Sequence, residues 1–190
     1  MRILILGADG MIGHTIFRHF YSNNEIHGTL HNESHCYDQF VPLFNDKVTF
    51  DLDVRNLDKI VALFNSFKPD VVINATGIVK QIADKHSGGD IIEINALIPY
   101  RLSELCSKAN IKLIQFSTDC VFSGEKGSYS EEDRPDPVDF YGLSKYLGEL
   151  NEEGCLTIRT SSIGLELGKS HGLIEWFLKQ SGIIKGFANA

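Results

Sequence analysis

The chain has 190 residues, of which 43% are hydrophobic, and its 25 acidic and 18 basic side chains give a formal charge of −7. This length predicts one domain with a sizeable core, and the negative charge argues against binding to nucleic acid or to an anionic membrane surface. No stretch approaches the roughly 20 apolar residues that span a bilayer, and the four cysteines form no C-x-x-C pair, so the sequence predicts a soluble cytoplasmic protein with reduced thiols.

Short apolar runs alternate with longer amphipathic stretches, which is typical of parallel strands joined by crossover helices. Strands are predicted near Arg2–Leu6, Glu25–Leu30, Val48–Asp51, Val71–Ala75, Lys112–Ser117 and Leu156–Thr160. Helices are predicted over Met11–Tyr21, Leu57–Ser66, Ile91–Ala109, Phe140–Asn151 and Gly172–Gln180, where apolar residues recur at spacings of three and four. The connection 32–47 has no helical period and is predicted to be mostly loop. Right-handed crossovers then give an α/β fold with a Rossmann-type, doubly wound parallel sheet.

The first candidate for chemistry is the glycine turn, residues 7–13, which reads GADGMIG. It follows the first predicted strand directly and opens the first helix. Gly7 permits a tight turn, Gly10 lets the backbone approach a pyrophosphate, and Gly13 lets helix and strand pack closely. The helix begins at Met11 and Ile12, and its N-terminal amides and dipole favour phosphate binding. The alternative is a purely structural turn.

The end of the second strand bears on the choice between NAD and NADP. After Leu30 comes His31, and no acidic residue stands there to bind a ribose 2′-hydroxyl. His31 could instead face the 2′-phosphate of NADP, although a lone histidine is more often merely exposed to solvent. The sequence therefore favours NADP, and Glu33 is the residue to reconsider if NADH is preferred. His31, His35 and Cys36 lie close together in the sequence and suggest a metal site, but the ligand set is incomplete and a solvated loop is favoured.

A long loop follows the fifth predicted strand. Pro135 and Pro137 interrupt residues 122–139, and a loop at the carboxyl end of a strand is a natural wall for a ligand site. Directly after it, Tyr141 and Lys145 are four residues apart and so share one face of a helix. An exposed pair without a function is the alternative for these two residues.

At the end of the fifth strand, the sequence reads Ser117-Thr118-Asp119, which directs polar groups toward the same crevice. Side chains of these types also cap turns. For Thr118 we favour a functional role, whereas for Asp119 capping is the slightly better interpretation.

Taken together, these motifs resemble the extended short-chain dehydrogenase/reductases, and within them the dTDP-4-dehydrorhamnose reductase-like group. The resemblance extends along nearly the whole chain and preserves the order of the family's motifs. It rests on the glycine turn, Asn74-Ala75-Thr76-Gly77, residues 117–124, Tyr141 to Lys145 and Arg159-Thr160-Ser161.

This resemblance implies an oxidoreductase that uses NADP or NAD to reduce a 4-keto sugar nucleotide. Thr118, Tyr141 and Lys145 correspond to the family's catalytic set. Tyr141 would donate a proton, and the Lys145 ammonium would lower the pKa of the phenol and hold the nicotinamide ribose. Thr118 would position the keto oxygen.

The resemblance also implies further cofactor contacts. Asp51 and Leu52 would contact adenine, while Ala75 and Gly77 would allow close approach to the ribose and phosphates. For Asp51, capping of the following turn is an equal alternative.

Two departures from the family pattern stand out. Cys120 occupies a position where many relatives have tyrosine, and family members continue well beyond the equivalent of Ala190. We therefore expect a Rossmann domain over 1–165 and the start of an incomplete substrate-binding lobe over 166–190, in a fragment, a partly observed chain or a naturally truncated protein. A homodimer is compatible with the family. An epimerase or dehydratase and a non-catalytic, dinucleotide-binding regulatory subunit remain the alternative functions.

Overall fold

A computed structural model describes residues 1–40, 44, 46–167 and 172–186, and these form a six-stranded parallel sheet flanked by helices. The strands are β1 (Arg2–Leu6), β2 (Glu25–Thr29), β3 (Val48–Thr49), β4 (Val71–Asn74), β5 (Lys112–Phe116) and β6 (Cys155–Ile158). Their order across the sheet is β3-β2-β1-β4-β5-β6. The Rossmann-type doubly wound fold is confirmed, and the strand order reverses between β1 and β4, where such sheets bind ligands.

The helices occur in the predicted order, with changes at their ends. They are α1 (Met11–Phe20), α2 (Leu57–Phe67), α3 (Gly88–Ile92), α4 (Ile98–Lys108), α5 (Phe140–Leu147) and α6 (Leu173–Leu178). A π-helical turn, Glu93–Leu97, joins α3 to α4 where one uninterrupted helix was predicted. Helix α5 ends at Leu147, four residues before the predicted end, and a Cβ added to the following Gly148 would lie 2.0 Å from the carbonyl oxygen of Asn95.

The structure of the connection between β2 and β3 differs from the prediction. Residues 32–47 were expected to be mostly loop, but Ser34–Phe40 form a 3₁₀ helix. Tyr37 is its buried residue, and the Tyr37 ring contacts Phe44 with centroids 6.0 Å apart. A 3₁₀ helix repeats every three residues, so its apolar residues do not follow the period of 3.6 that indicates an α-helix.

The sheet separates two hydrophobic clusters, as the alternation of side chains in β1 requires. Leu4 and Leu6 point to the face covered by α2 and α4, where Ile60 and Leu102 are fully buried. The other face of β1 packs against α1 and the 3₁₀ helix Ser34–Phe40. Burial of one such aliphatic side chain contributes about 1.5–3 kcal/mol to the stability of the fold. The two clusters therefore hold in place the sheet edge that carries the site.

Two predictions from the sequence concern a membrane-spanning segment and a metal site at His35 and Cys36. Within the described ranges, no helix is both long and apolar enough to cross a bilayer. His35 and Cys36 are exposed side by side, with Nε2 and Sγ 3.6 Å apart. Among the described residues, no group of three histidine, cysteine or carboxylate side chains is placed to hold a metal ion.

Candidate active site

Parallel strands bring the carboxyl ends of β1, β4 and β5 to the same edge of the sheet. The glycine turn leaves β1, residues 75–77 leave β4, and residues 117–119 leave β5. Three of the predicted motifs therefore converge at this edge because the sheet pairs β1 with β4 and β4 with β5.

Within the glycine turn, two of the three glycines are required by the fold. Gly7 has a φ of +77°, which favours glycine, and a Cβ at Gly13 would lie 2.1 Å from the Gly7 carbonyl oxygen. Gly10 differs, because its φ is −77° and its Cβ would be 3.4 Å from the same oxygen, an ordinary contact. The fold gives no reason for glycine at position 10, whereas a ligand that approaches the backbone closely does.

The N-terminus of α1 fits the phosphates of a dinucleotide. Gly10 is the N-cap residue and has no side chain, and among the described residues no side-chain group caps this end. The first-turn amides of Met11, Ile12 and Gly13 have no partner within an α-helix, so they and the helix dipole can receive an anion. Met11 and Ile12 are half-buried and Gly13 is buried.

After β4, the backbone turn is fixed by hydrogen bonds to Asn74. Buried Asn74 accepts hydrogen bonds from the backbone N–H and the hydroxyl of Thr76, at 3.2 and 2.6 Å. Ala75 is half-buried and Gly77 is exposed, so the backbone here is accessible. A Cβ on Gly77 would lie 3.6 Å from the Lys145 Nζ, which places this segment beside the predicted catalytic lysine.

Asn95 is a residue of the site that the sequence analysis missed. It lies in the π-helical turn, is 1% exposed, and pairs with both backbone groups of Ile78 at 2.9 Å. Its amide also donates to the Ser144 hydroxyl at 3.0 Å, which connects the β4 segment to α5. The signal available in the sequence was an amide placed between the apolar residues Ile94 and Ala96, because buried polar groups need specific partners.

Helix α5 presents the predicted tyrosine and lysine. Asp139 caps its N-terminus by accepting a hydrogen bond from the Gly142 amide at 2.7 Å. Gly142 is required because a Cβ there would lie 2.2 Å from the carbonyl oxygen of Cys120. This close approach holds the Tyr141 turn of α5 against the end of β5.

The pKa of Tyr141 differs from the prediction. Burial raises the pKa of the phenol, and a hydrogen bond with Thr118 only partly opposes that effect. The expected lowering by Lys145 is wrong for the protein alone, because removal of the phenolate from water and the nearby negative charges of Asp119 and Asp139 all raise the pKa. Tyr141 is therefore protonated at neutral pH, as a proton donor must be.

Lys145 is a buried cation whose ammonium is held by a backbone carbonyl group. It is 7% exposed, and its ammonium donates to the carbonyl oxygen of Phe116 at 2.6 Å. Burial lowers its pKa to about 8, while the charge of Glu149 acts in the opposite direction. An ammonium that is held beside an accessible backbone segment is suited to bind hydroxyl groups of a ligand.

The buried lysine makes stability depend on pH. The unfolded chain binds the Lys145 proton with a pKa near 10.4, but the native state loses it near pH 8, so between these values the unfolded state holds more protons. The free energy of unfolding should therefore rise with pH across this window, by up to about 3 kcal/mol, relative to that of Lys145→Met. Urea denaturation at pH 7.5 and 10 measures this difference. The control is Lys112→Met, which replaces an exposed lysine. A difference in the free energy of unfolding between wild type and Lys145→Met that is independent of pH would contradict the burial of the charge.

A second network that the sequence analysis missed supports the end of β5. Glu149 forms a two-pronged ion pair with Arg159, with distances of 2.9 and 2.7 Å, and accepts a hydrogen bond from Ser117 at 2.7 Å. The guanidinium also lies 5.1 Å from the centre of the Phe122 ring. Arg159 belonged to a recognised motif, but its partner Glu149 could not be identified without the fold.

Thr118 and Asp119 make different contacts in the turn after β5. Thr118, which is buried, caps the turn by accepting a hydrogen bond from the Cys120 amide at 3.2 Å. Asp119 was the favoured cap, but its carboxylate accepts hydrogen bonds from Thr118 and from Ser161 after β6. Burial would raise the pKa of Asp119, yet these hydrogen bonds hold it below the usual value.

In the part of the chain that the structure describes, two of the cavities lie beside this edge of the sheet. The larger, of about 1440 Å³, is bordered by the loop after β5 and the end of β6, and includes Cys120, Phe122 and Arg159 in its wall. The smaller, of about 530 Å³, lies beyond β2 and β3 and is lined by His31 and Asp51 among others.

The two residues predicted to contact adenine are separated by the structure. Asp51 is exposed, has a φ of +51° and lines the smaller cavity. Leu52 is 3% exposed within the core, and its amide donates to the carbonyl oxygen of Leu30 at 3.0 Å. The side chain of Leu52 thus contributes to the fold, and Asp51 is the member of the pair that faces the cavity.

The RmlD substrate binding domain model matches residues 1–172. A dTDP-4-dehydrorhamnose reductase from Burkholderia thailandensis is 31% identical over 175 residues, which are 90% of this chain and 53% of that protein. A methionine adenosyltransferase 2 subunit beta from Danio rerio is 27% identical over 152 residues, or 78% of this chain and 42% of that protein. The chain spans about half the length of these curated relatives.

Solved structures share the fold. That of a hypothetical dTDP-4-dehydrorhamnose reductase from Sulfolobus tokodaii is 30% identical with a TM-score of 0.73, over 86% of this chain and 57% of that one. A dTDP-4-dehydrorhamnose reductase from Bacillus anthracis, solved in complex with NADP, is 23% identical with a TM-score of 0.64, over 83% of this chain and 52% of that one.

Proposed function

Since the chain belongs to the RmlD substrate binding domain family, we propose that it is the dinucleotide-binding part of an NAD(P)H-dependent sugar-nucleotide reductase. The observation that carries this proposal is the convergence of Thr118, Tyr141 and the buried Lys145 with the uncapped N-terminus of α1. A 4-keto sugar nucleotide is the substrate that the similarity to dTDP-4-dehydrorhamnose reductases favours.

The glycine turn and the Lys145 region divide the binding of the cofactor between them. The amides of Met11, Ile12 and Gly13 bind the pyrophosphate, and Gly10 leaves space for it. Lys145 holds the ribose next to the nicotinamide, where Gly77 permits close approach. Hydride transfer to the ketone carbon is the chemistry that a bound, reduced dinucleotide supplies.

Reduction also requires a proton on the developing alkoxide oxygen. Tyr141 provides it, because its raised pKa keeps the phenol protonated until the alkoxide forms. The Thr118 hydroxyl, fixed by Asp119 and the Cys120 amide, orients the keto oxygen toward the phenol. Cys120 borders the larger cavity, and this side chain contributes to the wall of the substrate site.

Residues 1–165 form the dinucleotide-binding domain in this proposal, and 166–190 begin a substrate-binding lobe. Within the described part of that segment, Leu173, Trp176 and Phe177 are exposed, at 60%, 46% and 57%. An apolar surface of this kind is typical of contact with further protein, here the remainder of the lobe or a second subunit of a homodimer.

A non-catalytic regulatory subunit is the second candidate, and the similarity to a protein named as a subunit, methionine adenosyltransferase 2 subunit beta, favours it. The two candidates are separated by NADPH and NADH oxidation assays with dTDP-4-keto-6-deoxy sugars and related nucleotide sugars. Turnover by the longest form of the protein that its gene encodes supports the reductase. Dinucleotide binding without turnover on any of these sugars supports the regulatory subunit and rejects catalysis.

A further inference from the structure

Glu149 follows the end of α5, and its backbone is held on both sides. A Cβ on the preceding Gly148 would lie 2.0 Å from the carbonyl oxygen of Asn95, so this end of α5 packs tightly against the π-helical turn. The amide of the following Leu150 donates to the hydroxyl of Thr157 in β6 at 2.9 Å. These contacts fix the point from which the Glu149 side chain starts.

The side chains of Glu149 and Lys145 meet two adjacent residues at the end of β5. The Lys145 ammonium donates to the Phe116 carbonyl oxygen at 2.6 Å, and the Ser117 hydroxyl donates to the Glu149 carboxylate at 2.7 Å. Lys145 is 7% exposed and the Glu149 side chain 11%. Because both groups are largely shielded from water, the attraction between their charges is only weakly screened.

Other titratable groups lie around this part of the site. They are Asp139 and Tyr141 at the start of α5, Asp119 and Cys120 after β5, and Arg159 after β6. The Tyr141 phenol is neutral at neutral pH, and the Asp119 carboxylate accepts hydrogen bonds from two hydroxyl groups. The segment after β4 presents Gly77, which has no side chain, to the Lys145 ammonium. Burial lowers the pKa of Lys145, and the charge of Glu149 is the effect that opposes it.

Arg159 shares the charge of Glu149. Its guanidinium binds both carboxylate oxygens, at 2.9 and 2.7 Å, so two cations, Lys145 and Arg159, lie near one carboxylate. Removal of the carboxylate would leave Lys145 without an attracting charge, whereas removal of the guanidinium would leave the whole charge of Glu149 to act on Lys145. The two changes should therefore move the pKa of Lys145 in opposite directions.

We propose that Glu149 is a positioning residue for Lys145, and that its carboxylate keeps the ammonium charged over the pH range in which the dinucleotide binds. The ligand in this statement rests on the proposed function, whereas the effect of Glu149 on Lys145 does not. An ammonium has three N–H donors, and among the described residues the Phe116 carbonyl oxygen accepts from it, so the ammonium retains donors for ribose hydroxyl groups. Hydrogen bonds from a charged donor are stronger than those from a neutral amine, so loss of the charge weakens the binding of the ribose.

The ionisation of Lys145 can be followed in the 190-residue chain by the NMR shift of its Cε carbon, assigned with Lys145→Met. We expect a midpoint near pH 8 in wild type, a midpoint roughly one pH unit lower in Glu149→Gln, and a higher midpoint in Arg159→Gln. The matched control is Glu153→Gln, which removes the same charge from an exposed residue four positions further along the chain and should leave the midpoint unchanged.

Calorimetric titration of NADPH and NADH at pH 6 and pH 8 tests the consequence for binding. At pH 6 wild type and Glu149→Gln both carry the charged lysine, so their Kd values should be nearly equal. At pH 8 the variant should bind about fivefold more weakly, in proportion to its smaller charged fraction.

The possible results separate this proposal from the proposed function. An unchanged midpoint in Glu149→Gln overturns the role of Glu149. A lower midpoint in Arg159→Gln also overturns it, because loss of a merely structural ion pair would act alike in both variants. A lower midpoint in Glu149→Gln with equal affinities at pH 8 overturns the effect on binding. Binding of neither dinucleotide by wild type overturns the proposed function, while the midpoints still test the action of Glu149 on Lys145.

A second variant covers the case in which Glu149→Gln does not fold. Glu149→Gln with Arg159→Met removes the carboxylate and also the guanidinium that would otherwise be left unpaired. The midpoint of Lys145 in this double variant should again lie below that of wild type, and an unchanged midpoint would overturn the proposal.

Discussion

Replacing Tyr141 with phenylalanine should lower turnover of a 4-keto sugar nucleotide by roughly 10²–10⁴, the usual contribution of general acid catalysis. The half-buried ring beside Thr118 remains, so the fold and the affinity for the dinucleotide should change little. Steady-state rates of cofactor oxidation, with calorimetric Kd values for the cofactor, measure the two quantities separately.

The matched control is Tyr21→Phe at the C-terminal end of α1, the opposite end from the glycine turn. It removes the same hydroxyl and should leave turnover unchanged. Full activity in Tyr141→Phe would exclude this phenol as the proton donor.

Replacing Gly13 with alanine should destabilise the protein by about 3 kcal/mol, the upper end of the usual cost of overpacking, and abolish dinucleotide binding. The added Cβ would lie 2.1 Å from the Gly7 carbonyl oxygen and 2.9 Å from Ala8 Cα, both of which are backbone atoms of the turn. No side-chain rotation relieves such an overlap, so α1 must move away from β1. Urea denaturation measures the loss of stability.

Gly10→Ala provides the comparison within the same turn. Its Cβ finds an ordinary contact distance of 3.4 Å, so the free energy of unfolding should change by no more than about 1 kcal/mol. Equal losses of stability in the two variants would contradict the different roles of Gly10 and Gly13.

The sequence predicts those parts of the fold that depend on local patterns. An apolar run begins in or near each of the six strands. For β1, the predicted bounds, Arg2–Leu6, agree with the structure at both ends. The glycine turn was found because its spacing reflects contacts within a few residues, as the Gly13 to Gly7 approach confirms. Features that require contacts between distant segments were not predictable in this way.

Asn95 and Glu149 illustrate that limit within the candidate site. Asn95 acts on Ile78 and Ser144, and Glu149 acts on Ser117 and Arg159, so each role depends on strand and helix pairing. The pKa of Tyr141 was predicted in the wrong direction for a related reason. Its charged neighbour was visible in the sequence, but its burial was not.

Titration of NADH into the 190-residue chain and its Gly10→Val variant tests dinucleotide binding at the glycine turn. We expect one site per chain in wild type, and an affinity lowered more than about tenfold in Gly10→Val, because the side chain occupies the space left for the pyrophosphate. The free energy of unfolding of the variant should stay within about 1 kcal/mol of wild type. Unchanged affinity in a folded Gly10→Val protein would contradict the claim.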